Sequence, residues 1–446
     1  MNEQPGRYRI GVGAGFGGDR MEPAAELARH AQLDALVFEC LAERTIAVAQ
    51  TGLRNGSSTG FDDRMLDRFR LTLPELAKRG GVAITNAGAA NPIGGALATR
   101  KLLDELGLDS LKVAAVTGDD VLDKLDFSGI EILGTEERLS DYESRIVSAN
   151  AYVGASGVLE ALDGGADVVV GGRVGDASLF TGALLHHFSR GLDDLDFLAE
   201  ATLVGHMLEC GGQLTGGYFA DGVKKKIKGL GDLGFPFADV AADGAATFGK
   251  LAHQGGELTV DTVREQLYYE IDDPRRYLTP DLAVDLSQVS VAAGETDSVS
   301  VRGARPLYVP ETLKVSIGIE DGCIAIAEIS YAGAFAMERA ELARAILEQR
   351  WRALATETVM PEFYYIGVNS ARPWFVADQA PSEVRLRATL RTFDRSEAVR
   401  LCREVEALYT NGPAGGGGVT GSVRETIGIV SALVPAEFVQ QKVTVF

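Results

Sequence analysis

Residues 7–20 read RYRIGVGAGFGGDR, an alternating apolar run (Tyr8, Ile10, Val12) that gives way to Gly11, Gly13, Gly15, Gly17 and Gly18 and ends on Asp19 and Arg20. Such alternation is a strand, and residues 22–31, EPAAELARHA, carry helical spacing with a proline in the first turn. The unit is therefore strand, glycine loop, helix. Glycines this dense let a backbone approach a ligand closely. Gly13, Gly15 and Gly18 meet the spacing of a dinucleotide fingerprint, and Glu39 closes the next strand, LDALVFE, near where a ribose-binding acid stands. Pro23 argues the other way. In a fingerprint the helix opens among the glycines, so that its N-terminus faces the pyrophosphate, and here it starts several residues later.

Outward from this unit, short β-branched runs alternate with helical patterns to about residue 190. The strands are RIGVGA, LDALVFE, VAITNAG, KVAAVTGDD and ADVVVGGR. Between them AAELARHA, LPELAKRG, residues 94–106 and SANAYVGASGVLEALDGG read as helices. The alternation specifies an α/β fold with a parallel sheet covered by helices. Its strands end in polar or glycine clusters at residues 13–19, 86–91, 117–120 and 171–176. Ligands of open parallel sheets sit beyond the carboxyl ends of the strands, so these clusters are expected to line one crevice.

The α/β domain is expected over residues 1–280, with residues 193–280 as a connecting layer. Residues 295–446 read as a smaller α+β sandwich. ETLKVSIGIEDGCIAIAEISYAG gives two strands about an Asp321-Gly322 turn, MERAELARAILEQRWRAL a helix, FYYIGVNS and EVRLRATLRTF two strands, and SEAVRLCREVEALYTNG a second helix, in the order β-β-α-β-β-α. A glycine-rich loop, GPAGGGG, and the strand-like IGIVSALVP and KVTVF close the chain.

A chain of 446 residues that is 46% hydrophobic can bury sizeable cores. The formal charge of -20 disfavours nucleic acid and anionic membrane surfaces as partners. Cys40, Cys210, Cys323 and Cys402 lie far apart and form no CxxC, so neither a zinc site nor a disulfide framework is indicated, and no metal is assigned. There is no basic-plus-apolar leader and no apolar run near the ~18 residues of a membrane span. A cytoplasmic location and homo-oligomerisation are expected.

Several phrases then assemble in order along nearly the whole chain: AGFGGDR, TNAGAANP, VTGDDVL, GADVVVGGRVGDASL, GHMLECGGQLTGGYF, LGFPFADV, EQLYYEIDDPRRYL and NGPAGGGG. Together they resemble the acyclic terpene utilisation (AtuA) family, formerly a domain of unknown function. The resemblance implies a place in bacterial breakdown of citronellol and geraniol, where intermediates travel as branched acyl-CoA thioesters. It names a pathway and no settled reaction, and carries no catalytic assignment.

The residues supply their own candidates. His206, Glu209 and Cys210 stand at i, i+3 and i+4, so a helix sets imidazole, carboxylate and thiol on one face as base and nucleophile; the alternative is a core thiol, a satisfied histidine and a paired acid. Asp119 and Asp120 at one strand end, with Arg173 and Asp176 at another, place carboxylates beside a guanidinium able to clamp an anion, with Asp120 as a further catalytic candidate. Structural salt bridges or helix caps are the alternative there. Gly15, Gly17, Asp19 and Arg20 of the first loop, Asn86 and Asn91 of TNAGAANP, and Gly416 and Gly417 of the tail loop complete the expected substrate contacts.

The leading expectation is an enzyme acting on a small carboxylate or acyl-CoA by a lyase, hydratase or hydrolase step, using acid-base chemistry and no redox cofactor, with a CoA thioester as substrate. A non-catalytic subunit or scaffold for an acyl-CoA carboxylase-type partner is the second reading. A dinucleotide-dependent oxidoreductase, resting on the first loop alone, is the third.

Overall fold

The computed structural model describes residues 6–354, 359–371 and 381–446. They divide into two compact units, one running to Gly318 and resuming at Ile429–Phe446, the other Ile319–Gly428. Among the described residues no helix is long and apolar enough to cross a membrane.

The first unit is built on a ten-stranded mixed sheet. Its centre is parallel: Arg7–Ala14, Ala35–Phe38, Val82–Thr85, Val168–Gly171 and Val113–Thr117 lie side by side in that order. The four-residue runs ALVF and VVVG are buried throughout, as strands covered on both faces must be, which is why they read as unbroken apolar text. Helices Glu22–His30, Met65–Ala77, Pro92–Glu105 and Ser156–Asp163 lie in the connections between them, and Asp176–His187 follows the last, Val168–Gly171.

The expected parallel sheet is thus correct for the centre and incomplete at the edges. Pro236–Ala241 and Ala246–Lys250, read as part of a connecting layer, extend the sheet antiparallel from Arg7–Ala14, and Ser298–Arg302 and Ser290–Ala293 continue it. At the other edge Lys442–Val445, the KVTVF tail, pairs antiparallel with Val113–Thr117. SANAYVG is not helical: Ile146–Ala151 is a strand, and the helix begins only at Ser156. The strand pairs with Thr312–Ala332, and Tyr152 N donates to Lys314 O at 2.8 Å.

In the second unit Asp321-Gly322 is not a hairpin turn. Thr312–Ala332 is one continuous strand of 21 residues in which Gly322 takes a left-handed φ of 66°. The halves do not fold back on each other because Cys323–Ala332 pairs instead with Glu383–Thr392. The order from this strand onward is β-α-β-β-α-β, with helices Ala336–Leu354 and Arg395–Asn411 and strands Glu362–Ile366 and Gly417–Pro435. Ala325, Ala327 and Ile329 point to the helices and bury against Ala340, Leu347 and Leu401. On the alternate face Glu328 accepts from Arg385 Nε at 2.7 Å and Arg387 Nε at 2.6 Å.

Candidate functional site

A cavity of about 1200 Å³ opens in the first unit. Of the residues expected to meet there, Gly15, Gly17, Arg173, Asp176, Glu209 and Cys210 line it. The glycine loop, the end of the strand Val168–Gly171 and the end of helix Leu195–Leu208 therefore converge. Gly15 must be glycine for this, because a Cβ there would fall on the Cys210 backbone carbonyl. Its amide donates to Asp19 Oδ2 at 2.7 Å, and Arg68 holds the Gly17 carbonyl at 2.6 Å. These contacts stiffen the loop and occupy the Gly15 amide.

Arg173 is buried. Its Nη1 donates to Asp176 Oδ1 at 2.8 Å, and the guanidinium lies 3.9 Å from the Tyr152 ring centre. Burial works against its charge, yet Asp176, Tyr152 and Glu39 hold its pKa above the ordinary value. Tyr152 is pushed by burial up to about 12, and its hydroxyl donates to Glu43 Oε1 at 3.0 Å, an oxygen that also takes Lys314 Nζ at 2.5 Å. Glu39 lines the cavity as well. Its Oε1 accepts from Leu41 N at 2.8 Å and Asn86 Nδ2 at 3.0 Å, while no hydrogen bond reaches Oε2 among the described residues. Burial, reinforced by Asp176, raises its carboxyl well above the usual range.

His206 sits behind this wall rather than on it. Its Nε2 faces the Leu267 carbonyl at 3.2 Å and its Nδ1 faces Glu209 Oε1 at 3.0 Å. A carbonyl oxygen only accepts, so Nε2 carries hydrogen, and a neutral ring then presents a bare lone pair at Nδ1. A hydrogen bond between Nδ1 and Glu209 therefore needs one further proton, held as imidazolium-carboxylate or as imidazole-carboxylic acid. Burial pushes Glu209 up to about 7, with His206 opposing and Asp176 and Glu270 adding to the rise. Burial works against the charged ring of His206, but Glu209 and the carbonyl contact raise it overall. The pair thus shares one proton near neutrality.

The other expected residues take supporting places. Cys210 lines the cavity, but both His206 nitrogens are engaged elsewhere, and burial followed by Glu209 pushes the thiol well up, so it is not an activated nucleophile. Asp120 is exposed and accepts from Leu122 N and Gln50 Nε2, away from the lining, so its catalytic assignment is not supported. Asp119 is buried, and its Oδ2 accepts from Arg173 N at 3.0 Å and Asn150 Nδ2 at 2.9 Å; it positions the Arg173 backbone. Asn86 lies behind Glu39, its Oδ1 accepting from Cys40 N, and Asn91 caps the helix Pro92–Glu105. Arg20 is exposed and bonds the Gly231 carbonyl at 3.0 Å. Gly416 packs on Ile329 and Tyr331 of the second unit and Gly417 opens a strand; neither lines the cavity.

Tyr152, Glu43, Lys314 and Glu270 are lining residues that spacing did not single out. Glu270 carries a positive φ of 59°, a strained conformation for a residue with a side chain. Apolar lining comes from Leu133, Leu278, Leu313 and Leu433, among others. Among the described residues no group of three or more histidine, cysteine, aspartate or glutamate side chains is placed to hold a metal ion.

Fold and site together define a mixed α/β protein with a large, acid-bearing cavity at the ends of its parallel strands. The chain belongs to the acyclic terpene utilisation (AtuA) family, whose model matches residues 8–445. No curated protein and no solved structure matches it.

Proposed function

We propose that this protein is an acid-base enzyme of carboxylate or branched acyl-thioester breakdown, catalysing a lyase, hydratase or hydrolase step. The observation that carries the reading is the His206–Glu209 pair, one proton shared at a cavity wall that also presents Glu39. With the proton on His206, Glu209 is a carboxylate able to take a proton from a substrate carbon or a water. With the proton on the carboxyl, it returns it. Glu39, kept neutral by burial, is suited to donate to a developing oxyanion through Oε2. His206 acts through Glu209 and is a positioning residue. The cavity exceeds the roughly 300–1,000 Å³ of ordinary small-molecule pockets, which suits a bulky acyl chain. Membership of a family linked to acyclic terpene utilisation supports the same substrate class.

Incubating the protein with a panel of branched acyl-CoA esters and their free acids, followed by mass spectrometry, tests the reading. Turnover is expected, and Glu209→Gln, which keeps a donor toward His206 Nδ1, should lower kcat by roughly 10²–10⁴ with the fold intact. Full turnover by that variant would remove Glu209 from the mechanism. Inert protein together with unimpaired pathway flux in a Glu209→Gln strain would favour a non-catalytic subunit that docks an acyl-CoA carboxylase-type partner.

A further inference from the structure

The cavity lining contains two cationic side chains, and both are engaged from within the protein. Arg173 is paired with Asp176 at 2.8 Å and has one face against Tyr152, while Lys314 is paired with Glu43 at 2.5 Å. Glu39, Glu209 and Glu270 line the same space. Neither Glu39 nor Glu270 has a lysine or arginine partner among the described residues, and Glu209 has only His206. A ligand anion entering this site would meet two cations already neutralised by Asp176 and Glu43, among an excess of acids. A buried unpaired charge is strongly disfavoured, whereas a neutral oxygen needs only donors.

Donors for such an oxygen are present. Glu39 uses Oε1 for its internal contacts and keeps Oε2 outside any hydrogen bond in the described chain, and Gln213 of the lining has a buried Nε2 without a hydrogen-bond partner. Burial favours the protonated form of Glu39, which then presents O–H from Oε2 toward an acceptor, whereas the proton Glu209 shares stays between Oε1 and His206 Nδ1. A carbonyl or hydroxyl oxygen can accept such a bond. An ammonium group has no acceptor to offer, and a carboxylate would bring an uncompensated charge. The leucines at positions 133, 278, 313 and 433 give the remainder of such a ligand an apolar wall.

We infer that the head group taken by this cavity is uncharged, a thioester, ketone or hydroxyl oxygen on an apolar chain, and that carboxylates and phosphates are held out. The inference rests on the cavity being the substrate site. The phosphates of a CoA ester would accordingly stay outside it, and only the acyl thioester would enter.

Binding of unreactive probes separates this inference from the catalytic reading, since it is measured without turnover. Calorimetry at neutral pH with octan-2-one, octanoate and octylamine compares one chain length with a neutral, an anionic and a cationic head. Octan-2-one should bind at least about tenfold more tightly than either charged probe. Asp176→Asn, which releases Arg173, should raise octanoate affinity about tenfold or more while leaving octan-2-one within about threefold. Glu43→Gln, which releases the exposed Lys314, provides the same test should the first variant not fold. Octanoate or octylamine binding as tightly as the ketone overturns the inference, as does failure of both variants to improve octanoate, or no binding by any probe. Correct probe order without turnover of any acyl thioester would leave the inference standing and remove the catalytic reading.

Discussion

Nε2 of His206 faces a carbonyl, and that contact settles the state of its neighbours: the ring must donate there, so Nδ1 and Glu209 divide a single proton. Cys210, next along the chain, receives no base and sits beside a carboxyl, so its thiol is held protonated. Iodoacetamide at about pH 8, followed by peptide mass mapping, should label Cys210 at least about tenfold more slowly than a free cysteine peptide, because the thiolate is the reacting form. Faster labelling than the peptide would restore it as a nucleophile. Helical spacing made the trio visible in the sequence, since i, i+3 and i+4 share a face. Spacing could not say which ring nitrogen meets what, because the Leu267 carbonyl comes from a distant helix. Glu39 was legible as an acid closing a buried apolar strand, but its role was not, because Asn86 and Asp176 reach it from other strand ends.

At the scale of elements, the position of Glu209 depends on how helix Leu195–Leu208 packs on helix Asp176–His187. Gly205 makes the close approach possible: a Cβ there would fall on the carbonyl of Ala177, the residue after Asp176. Gly205→Ala should therefore push the helices apart and destabilise the protein by about 1–3 kcal/mol, read as a lower Tm. It should also reduce turnover by more than the lost stability explains, because Glu209 and Asp176 move relative to each other. An unchanged Tm would show that the interface yields freely. The parallel strands were legible because each is short, β-branched and closed by glycine or a polar cluster. The strand Ile146–Ala151 was not. SANAYVG is rich in small residues with no decisive period, and its strand character comes from pairing with Thr312–Ala332, far along the chain. Tyr152 and Lys314 were missed for the same reason, since that pairing is what brings them to the cavity.

For the whole molecule, the buried acids make stability depend on pH in an uncommon direction. Glu39 and Glu209 have folded values above the ordinary 4.5, Glu209 at about 7, so folding takes up protons. Their contribution is fully present below about pH 4.5 and is lost as pH rises through the folded values. His206 is also raised in the folded state, so its contribution likewise fades above the ordinary 6.5. Carboxylates lowered by ion pairs, such as Glu328 between Arg385 and Arg387 despite its burial, act oppositely and lose their contribution only on strong acidification. A formal charge of -20 at pH 7 adds self-repulsion on the alkaline side. Tm measured at constant ionic strength should therefore fall between about pH 5.5 and 8.5, each proton taken up on folding contributing about 1.4 kcal/mol per pH unit. Glu39→Gln with Glu209→Gln removes the two titrating carboxyls while keeping an acceptor for Leu41 N and Asn86 Nδ2 and a donor toward His206 Nδ1, so the double variant should show a shallower decline and relatively greater stability at the alkaline end. Parallel Tm curves for the two proteins would mean that neither carboxyl enters the folded state with its proton, and the shared proton at the cavity wall would have to be assigned elsewhere.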